Sequence, residues 1–336
     1  MEEKGLLLIS GLDSILAGAI LKEQDISFEV LYFHIPFCHC YPGDNCKLKE
    51  LLKGTSRDLF GLRLNVIELG SEYLSLLKNP KHGFGKNINP CIDCKIFMFK
   101  RAKDLFKKYN ASYIITGEVL GERPMSQNSS TLFKIEEEAG LSRLVLRPLS
   151  AKVLPLTLPE ERGLVNREKF FDIQGRSRKE QFKLVEKYNI KDYPAPSGGC
   201  LLTDPRFSHR LKDLLKYTEE LSLDQIYLLK LGRHFRLSRE LKLIVGRDER
   251  ENNMLLSSAK ELSIPYLMPL DVKGPLALAV GRDMRDNIYS LMAEIVAAHC
   301  RKGIAKEIDM EFNWGITKDI FRTVVRDRKE FEYLRI

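Results

Sequence analysis

The sequence predicts an α/β protein, a doubly wound parallel sheet followed by a smaller α+β domain. Three observations carry that expectation. Short apolar runs alternate with segments of helical periodicity through the first half, and several of the runs end in a turn of small or polar residues. After about Leu215 the texture changes to strand-helix units that carry a GRDxRxN pattern twice. The expected division is 1–215 and 216–336.

Gly5 to Ser10 (GLLLIS) reads as a short buried strand, closed by a turn at Gly11 and followed by a helix from Asp13 to about Lys22. Ile26 to Phe33 is a second strand, Asn45 to Thr55 a helix and Leu62 to Leu69 a third strand; Tyr113 to Thr116 and Arg143 to Leu149 supply two more. Ile96, Phe99, Ala102, Leu105 and Phe106 recur at helical spacing, which places Cys91 and Cys94 in that helix's first turn. In a doubly wound sheet ligands bind beyond the carboxyl ends of the strands, so the loops at Gly11, His34 and Gly117 should converge. Asp192 to Pro196, with Gly198 and Gly199, predicts a rigid turn delivering Cys200. Leu241 to Gly246 and Leu276 to Val280 are strands, each leading into a GRD segment and a helix. Two copies are too few for a solenoid, so they read as a duplicated element in one small domain.

The chain has 336 residues, 44% of them hydrophobic, with 22 Gly and 14 Pro, the composition of an ordinary globular protein. No apolar run approaches a membrane span, and the start Met1-Glu2-Glu3-Lys4 does not resemble a secretory signal, so a cytoplasmic protein with no membrane partner is expected. Seven cysteines cannot all pair, and a reducing compartment favours metal or catalytic roles for them. The net charge of +8 suits an anionic partner such as nucleic acid. Lys and Arg exceed Asp and Glu by 24 to 20 from Arg206 onward and by 30 to 26 before it, so any nucleic-acid surface must be made by folding.

Ser10-Gly11-Leu12-Asp13-Ser14 is a small-residue loop opening a helix, where backbone N-H groups and hydroxyls can hold a pyrophosphate; a plain helix cap is the alternative. It lacks the lysine of a Walker loop. Cys91 and Cys94 lie at a helix N-terminus, which favours thiolates, and Cys200 is a third candidate. Reduced buried cysteines and a four-ligand zinc site are the competing readings. His34, Cys38, His39, Cys40 and Cys46 form a second group with the wrong spacing for a zinc ribbon, and read as loop and core residues, with lining of the nucleotide or cluster pocket as the alternative. Cys300 reads as structural. Arg233, His234, Phe235 and Arg236, with Lys242 and Arg247, offer phosphate contacts and a stacking ring to RNA, against the plain reading of a solvated face.

Ile9-Ser10-Gly11-Leu12-Asp13-Ser14 resembles the SGGxDS signature of PP-loop ATP pyrophosphatases, with one glycine fewer or Ser-Gly replaced. Thr116-Gly117-Glu118-Val119-Leu120-Gly121, with Ser126-Gln127 and Thr131-Leu132, resembles the GE-x-LGQ and SQT segments of tRNA 4-thiouridine synthases, except that Glu122 stands in place of Gln. Asn89-Pro90-Cys91-Ile92-Asp93-Cys94 is similar to a motif of tRNA 2-thiouridylases. These matches span roughly the first 205 residues. Leu231 to Leu255 resembles an NFACT-type RNA-binding module. The long N-terminal RNA-binding extension of 4-thiouridine synthases is not found, so the tRNA grip is expected from the C-terminal part.

The resemblance implies an ATP-dependent tRNA sulfurtransferase. ATP adenylates a uridine carbonyl oxygen, and a sulfur nucleophile displaces AMP. Ser10, Gly11, Leu12, Asp13 and Ser14 would hold pyrophosphate, with Asp13 helping to place Mg2+; Phe33, His34, Gly117 and Glu118 would line the nucleotide, and Arg147 would neutralise phosphate charge. Cys91, Cys94 and Cys200 would ligate a 4Fe-4S cluster with one open iron, or Cys200 would carry a persulfide resolved by Cys91 or Cys94. The sulfur donor would be sulfide, a persulfide carrier or a thiocarboxylated protein. Two other classes stay open: a PP-loop enzyme activating a small molecule, and a non-enzymatic RNA-binding or iron-sulfur module with a degenerate loop.

Overall fold

A computed structural model describes residues 3–40, 46–194, 200–281, 286–301, 306–315 and 317–336. The chain divides into two compact units, Met1–Asp204 and Pro205–Ile336. The sequence boundary near 215 falls at the end of the helix Pro205–Tyr217, which goes with the second unit.

In the first unit β1 (Lys4–Leu8), β2 (Phe28–His34), β3 (Leu64–Glu68), β4 (Ala111–Ile115) and β5 (Val145–Leu146) form a wholly parallel sheet in the order β3-β2-β1-β4-β5. Leu7 is in register with Val30 on one side and Ile115 on the other. Such strands are covered on both faces, which is why they read as continuous apolar runs rather than as alternation. The strand order reverses at β1, so the loops after β1 and β4 flank the crevice where a ligand is expected.

The helix Leu12–Lys22 is buried at Leu12 and from Ser14 through Leu21. Gly18 makes that depth attainable, since a Cβ there would lie 2.5 Å from the Phe60 ring and 2.8 Å from Leu7. The second helix runs Lys47–Phe60, five residues beyond expectation, and stops where Gly61 takes the left-handed conformation (φ 69°). The expected strand 143–149 shrinks to Val145–Leu146. Ser150 N-H donates to the Arg147 carbonyl and Phe171 N-H to that of Pro148, so the chain turns away after Leu146. A helix the sequence reading passed over, Ser129–Ala139, is N-capped by Asn128 and packs on the helix Cys91–Asp104.

The second unit is an antiparallel sheet of β6 (Arg233–Arg236), β7 (Leu241–Val245), β8 (Tyr266–Pro269), β9 (Ala277–Gly281), β10 (Glu307–Asn313) and β11 (Lys318–Val324), in the order β11-β10-β8-β9-β7-β6. Helices Glu249–Leu262 and Asp286–Ala298 follow β7 and β9. The two repeated strand-helix elements are therefore real, and their strands pair side by side. Asp248 of the first GRD segment caps its helix by accepting from Glu251 N-H (2.9 Å). Arg282 to Arg285 of the second lie outside the described residues, as does the predicted Pro-Gly turn over 195–199. Leu243, Ala279, Met292, Val296, Met310 and Phe312 belong to this unit's own core. Among the described residues no helix is long and apolar enough to cross a membrane.

Candidate functional site

The loop after β1 closes on itself through one hydroxyl. Ser14 Oγ accepts from the backbone N-H groups of Ser10 (2.9 Å) and Gly11 (3.1 Å) and donates to the Gly11 carbonyl (2.7 Å). Leu12 is 2% exposed in the core, so of that residue only the backbone is left for a ligand. Asp13 faces Arg178, 3.4 Å away, and Arg178 also pairs with Glu122. Burial and the neighbouring Glu122 carboxylate push the Asp13 carboxyl up to about 6, with Arg178 and Arg123 opposing them. Among the described residues, Asp13 Oδ1 and Glu122 Oε2 are buried carboxylate oxygens without a hydrogen-bond partner. Two such oxygens are a donor set that suits a hard divalent cation.

Gly117, at the end of β4, is needed for close approach. A Cβ there would stand 2.1 Å from Ser14 N and 2.2 Å from the Asp13 carbonyl carbon. The loop it approaches is therefore the β1 loop itself. Glu118 is buried and receives Lys95 on one oxygen and Arg147 Nε (2.9 Å) on the other. Burial alone would raise its pKa, but the two cations hold it down at about 2. Arg147 is 3% exposed and also pairs with Glu136, so its charge is balanced inside the protein. The guanidinium that bonds the β1 loop is that of Arg178, which lies 165 residues from Asp13 in sequence.

Cys91 and Cys94 occupy the first turn of the helix Cys91–Asp104, as their spacing predicts. Asp93, between them, is buried and accepts from the backbone N-H groups of Lys81 (3.0 Å) and His82 (3.1 Å), pinning the preceding loop. Cys200 returns to this helix start through its neighbours: Ile88 N-H donates to the Leu202 carbonyl (3.4 Å), and Asn87 Nδ2 to that of Thr203 (2.7 Å). Tyr73 hydroxyl donates to Cys94 Sγ (2.9 Å). Burial pushes the Cys94 thiol up to about 12, and the nearby sulfurs of Cys200 and Cys91 add to the shift while the Tyr73 bond opposes it. All three sulfurs also act on the Tyr73 hydroxyl. The three thiols are near enough to act on one another and on Tyr73, and soft thiol donors are the ligand type of a 4Fe-4S cluster with one iron lacking a protein ligand.

Phe33 and His34 end β2; Phe33 is 8% exposed, and the His34 ring is occupied by Glu68 and Cys38. In the second unit the interleaved reading of β6 needs correction. His234 is fully buried and Phe235 is 2% exposed, so that ring is not available to stack on a base. The C-terminal segment runs along β6, with Ile336 N-H on the His234 carbonyl (3.0 Å) and Phe235 paired with Arg335, and the Phe235 ring packs 5.6 Å from that of His299. Lys242 is also buried, and burial pulls it down to about 8. Arg236 is held by Asp213 (3.1 Å). What the fold assembles instead is a group of guanidinium ions. Burial pulls the Arg233 pKa down, and Arg328, Arg335 and Arg247 lower it further.

Residues 1–152 match the family model of the thiamine biosynthesis protein (ThiI), and residues 232–330 match that of the NFACT protein RNA binding domain. Each of the two matches covers less than half of the chain. A probable tRNA sulfurtransferase from Lachnospira eligens is 28% identical over 146 residues, 43% of this chain and 34% of the relative, so the match spans about a third of that relative's length. Two solved structures align more loosely. One is the C-terminal part of the fibronectin/fibrinogen-binding protein of Streptococcus suis (TM-score 0.28, 11% identity, 47% of this chain and 72% of that chain). The other is a predicted subunit of tRNA methyltransferase from Methanocaldococcus jannaschii (TM-score 0.32, 14% identity, 67% of this chain and 91% of that chain).

Arg178, Glu122, Lys95 and Asp93 of the first unit were missed by sequence reasoning; the departure at Glu122 from the glutamine of the family pattern and the basic run Gly175 to Lys179 were the signals available. Two predictions follow from their burial. Glu118→Ala takes the shared carboxylate from Lys95 and Arg147, leaving Arg147 to Glu136 and Lys95 without its buried counter-charge, and should destabilise the first unit by about 3–5 kcal/mol, read from the denaturant midpoint of that unit. Asp13 has an ordinary carboxyl pKa of 3.8 and a folded one of about 6. Between those values the folded chain holds a proton the unfolded chain has lost, so this group lowers stability as pH rises from about 4 to about 6. Asp13→Asn should match the parent below pH ~4 and exceed it at pH ~8 by about 1–3 kcal/mol in chemical denaturation.

Proposed function

We propose that this chain is an ATP-dependent tRNA sulfurtransferase that adenylates a uridine carbonyl and replaces its oxygen by sulfur. One observation carries the reading. Lys95, next to Cys94, pairs with Glu118, next to Gly117, and Gly117 abuts Asp13 and Ser14, so the thiol-bearing helix and the β1 loop are tied together by a single ion pair and one glycine. An enzyme that activates oxygen with ATP and then delivers sulfur to the same carbon needs those two chemistries side by side.

In this reading the β1 loop and the helix N-terminus behind it receive the pyrophosphate of ATP, with Arg178 and Arg123 supplying the positive charge first expected of Arg147. Asp13 and Glu122 offer their unpartnered oxygens to Mg2+, and an ion there would keep both carboxylates ionised. Cys91, Cys94 and Cys200 would hold a 4Fe-4S cluster, whose open iron would present sulfide as the nucleophile. Tyr73, whose hydroxyl bonds Cys94, packs against the rings of Phe37 and Phe97. The arginines of the NFACT-type unit, Arg233, Arg247, Arg328 and Arg335, would bind tRNA phosphates.

The decisive measurement is nucleoside analysis of unmodified tRNA after anaerobic incubation with ATP, magnesium and sulfide. A thionucleoside should form, the reconstituted protein should carry about four iron atoms per chain, and Cys200→Ala should abolish both. Thionucleoside from iron-free protein would overturn the cluster, and product formed only when a persulfide-carrying donor replaces sulfide would put a persulfide relay in its place. Iron-loaded, ATP-binding protein that thiolates no tRNA would overturn the function in favour of a small-molecule substrate. Arg233→Ala and Arg328→Ala should each weaken tRNA retention and reduce the salt slope of binding by about 1, measured by filter binding across a salt series.

A further inference from the structure

The loop after β2 carries a second group of donors that the thiolation reading does not use. His34 ends β2 in register with Glu68 at the end of β3, and Glu68 meets His34 Nδ1 with one oxygen while Lys49 holds the other (2.8 Å). A carboxylate on Nδ1 keeps the proton on that nitrogen and leaves the Nε2 lone pair outward, the arrangement in which a histidine serves as a metal ligand. That Nε2 faces sulfur: Cys38 Sγ lies 3.0 Å away, and the donor atoms of His34, Cys40 and Cys46 all lie within 4.8 Å of one another.

We propose that His34, Cys38, Cys40 and Cys46 form a second metal site, which in its reduced state takes one divalent ion of the zinc class. Three thiolates and one imidazole are a complete tetrahedral set for a structural ion. In this structure Cys40 and Cys46 are joined as a disulfide, with Cα atoms 5.3 Å apart. The disulfide and the metal site are alternative states of the same two sulfurs. A dithiol reductant supplies two electrons and two protons, becoming a disulfide itself; the ion then displaces one proton from each of the three thiols. A disulfide by itself makes no use of the carboxylate-oriented histidine or of Cys38, whereas a metal site uses all four donors.

The site would also position the neighbouring cysteine. Between His34 and Cys38 lies Phe37, whose carbonyl accepts from Leu201 N-H (3.0 Å) and lies 3.9 Å from Cys200 Sγ, and whose ring packs against Tyr73. An ion gripping the loop on both sides of Phe37 fixes the carbonyl on which the Cys200 segment rests. This proposal needs no ATP or tRNA chemistry, so it stands or falls apart from the sulfurtransferase reading.

The test is a cobalt titration of the full chain, fully reduced under argon and with Cys91, Cys94 and Cys200 all replaced by serine, followed by competition with zinc. One cobalt per chain with thiolate charge-transfer absorption is expected, lost in Cys38→Ser and Cys46→Ser. Glu68→Gln should weaken zinc about 10–100-fold through the histidine it orients. If the triple replacement fails to fold, zinc content of the iron-loaded parent and its Cys46→Ser variant gives the same comparison. Cobalt without thiolate absorption, binding indifferent to Cys46→Ser, or a Cys40–Cys46 disulfide that survives strong reductant in the folded chain would each overturn the proposal.

Discussion

The Lys95–Glu118 pair is the interaction on which the first unit's chemistry depends. Both groups are largely buried, and Glu118 is held ionised by two cations, Lys95 and Arg147, the second of which it shares with Glu136. A buried charge network adds little net stability, because desolvation offsets most of the attraction, but it penalises every arrangement that separates its members. Here the members sit on the thiol-bearing helix, on the loop after β4 and on the strand β5 segment. The network therefore sets the distance between three elements that carry no chemistry until they are adjacent.

The mouth of the β1 loop is built on the opposite principle. Asp13 and Glu122 are two acids placed close together with one shared arginine, and two of their oxygens have no partner. Two like charges held this close in a buried site raise its energy, and burial with the Glu122 carboxylate accordingly pushes the Asp13 carboxyl up. The cysteine group follows the same logic in softer chemistry. Burial holds Cys94 protonated, and only a metal or another strong electrophile would draw the proton away.

Much of this was legible in the chain. The apolar run before Ser10, the small loop and the buried helix announced the β1 loop, and the helical spacing after Cys91 placed both thiols in a first turn, as observed. The duplicated GRD units appear as neighbouring strands, each with its helix. The errors share a cause. Arg147 and the pair His234-Phe235 look like ligand groups in sequence, but their fate depends on partners far along the chain: Glu118 and Glu136 for the arginine, the C-terminal segment for the ring. Composition records that a side chain is charged or aromatic; it does not record what covers it.

The sequence by itself determined the change of texture between the two units, the strand-turn-helix at Gly11 and the place of Cys91 and Cys94 in a helix's first turn, because periodicity and local spacing act over a few residues and survive without knowledge of the rest. Only the tertiary structure decided which arginine meets the loop, which carboxylate oxygens beside it lack a partner among the described residues, and that Glu68 meets the His34 ring. Those outcomes rest on contacts between residues tens to more than a hundred positions apart, such as Arg178 with Asp13 and Asn87 with Thr203. Burial and charge balance at such contacts are properties of the packed chain, and no local pattern encodes them.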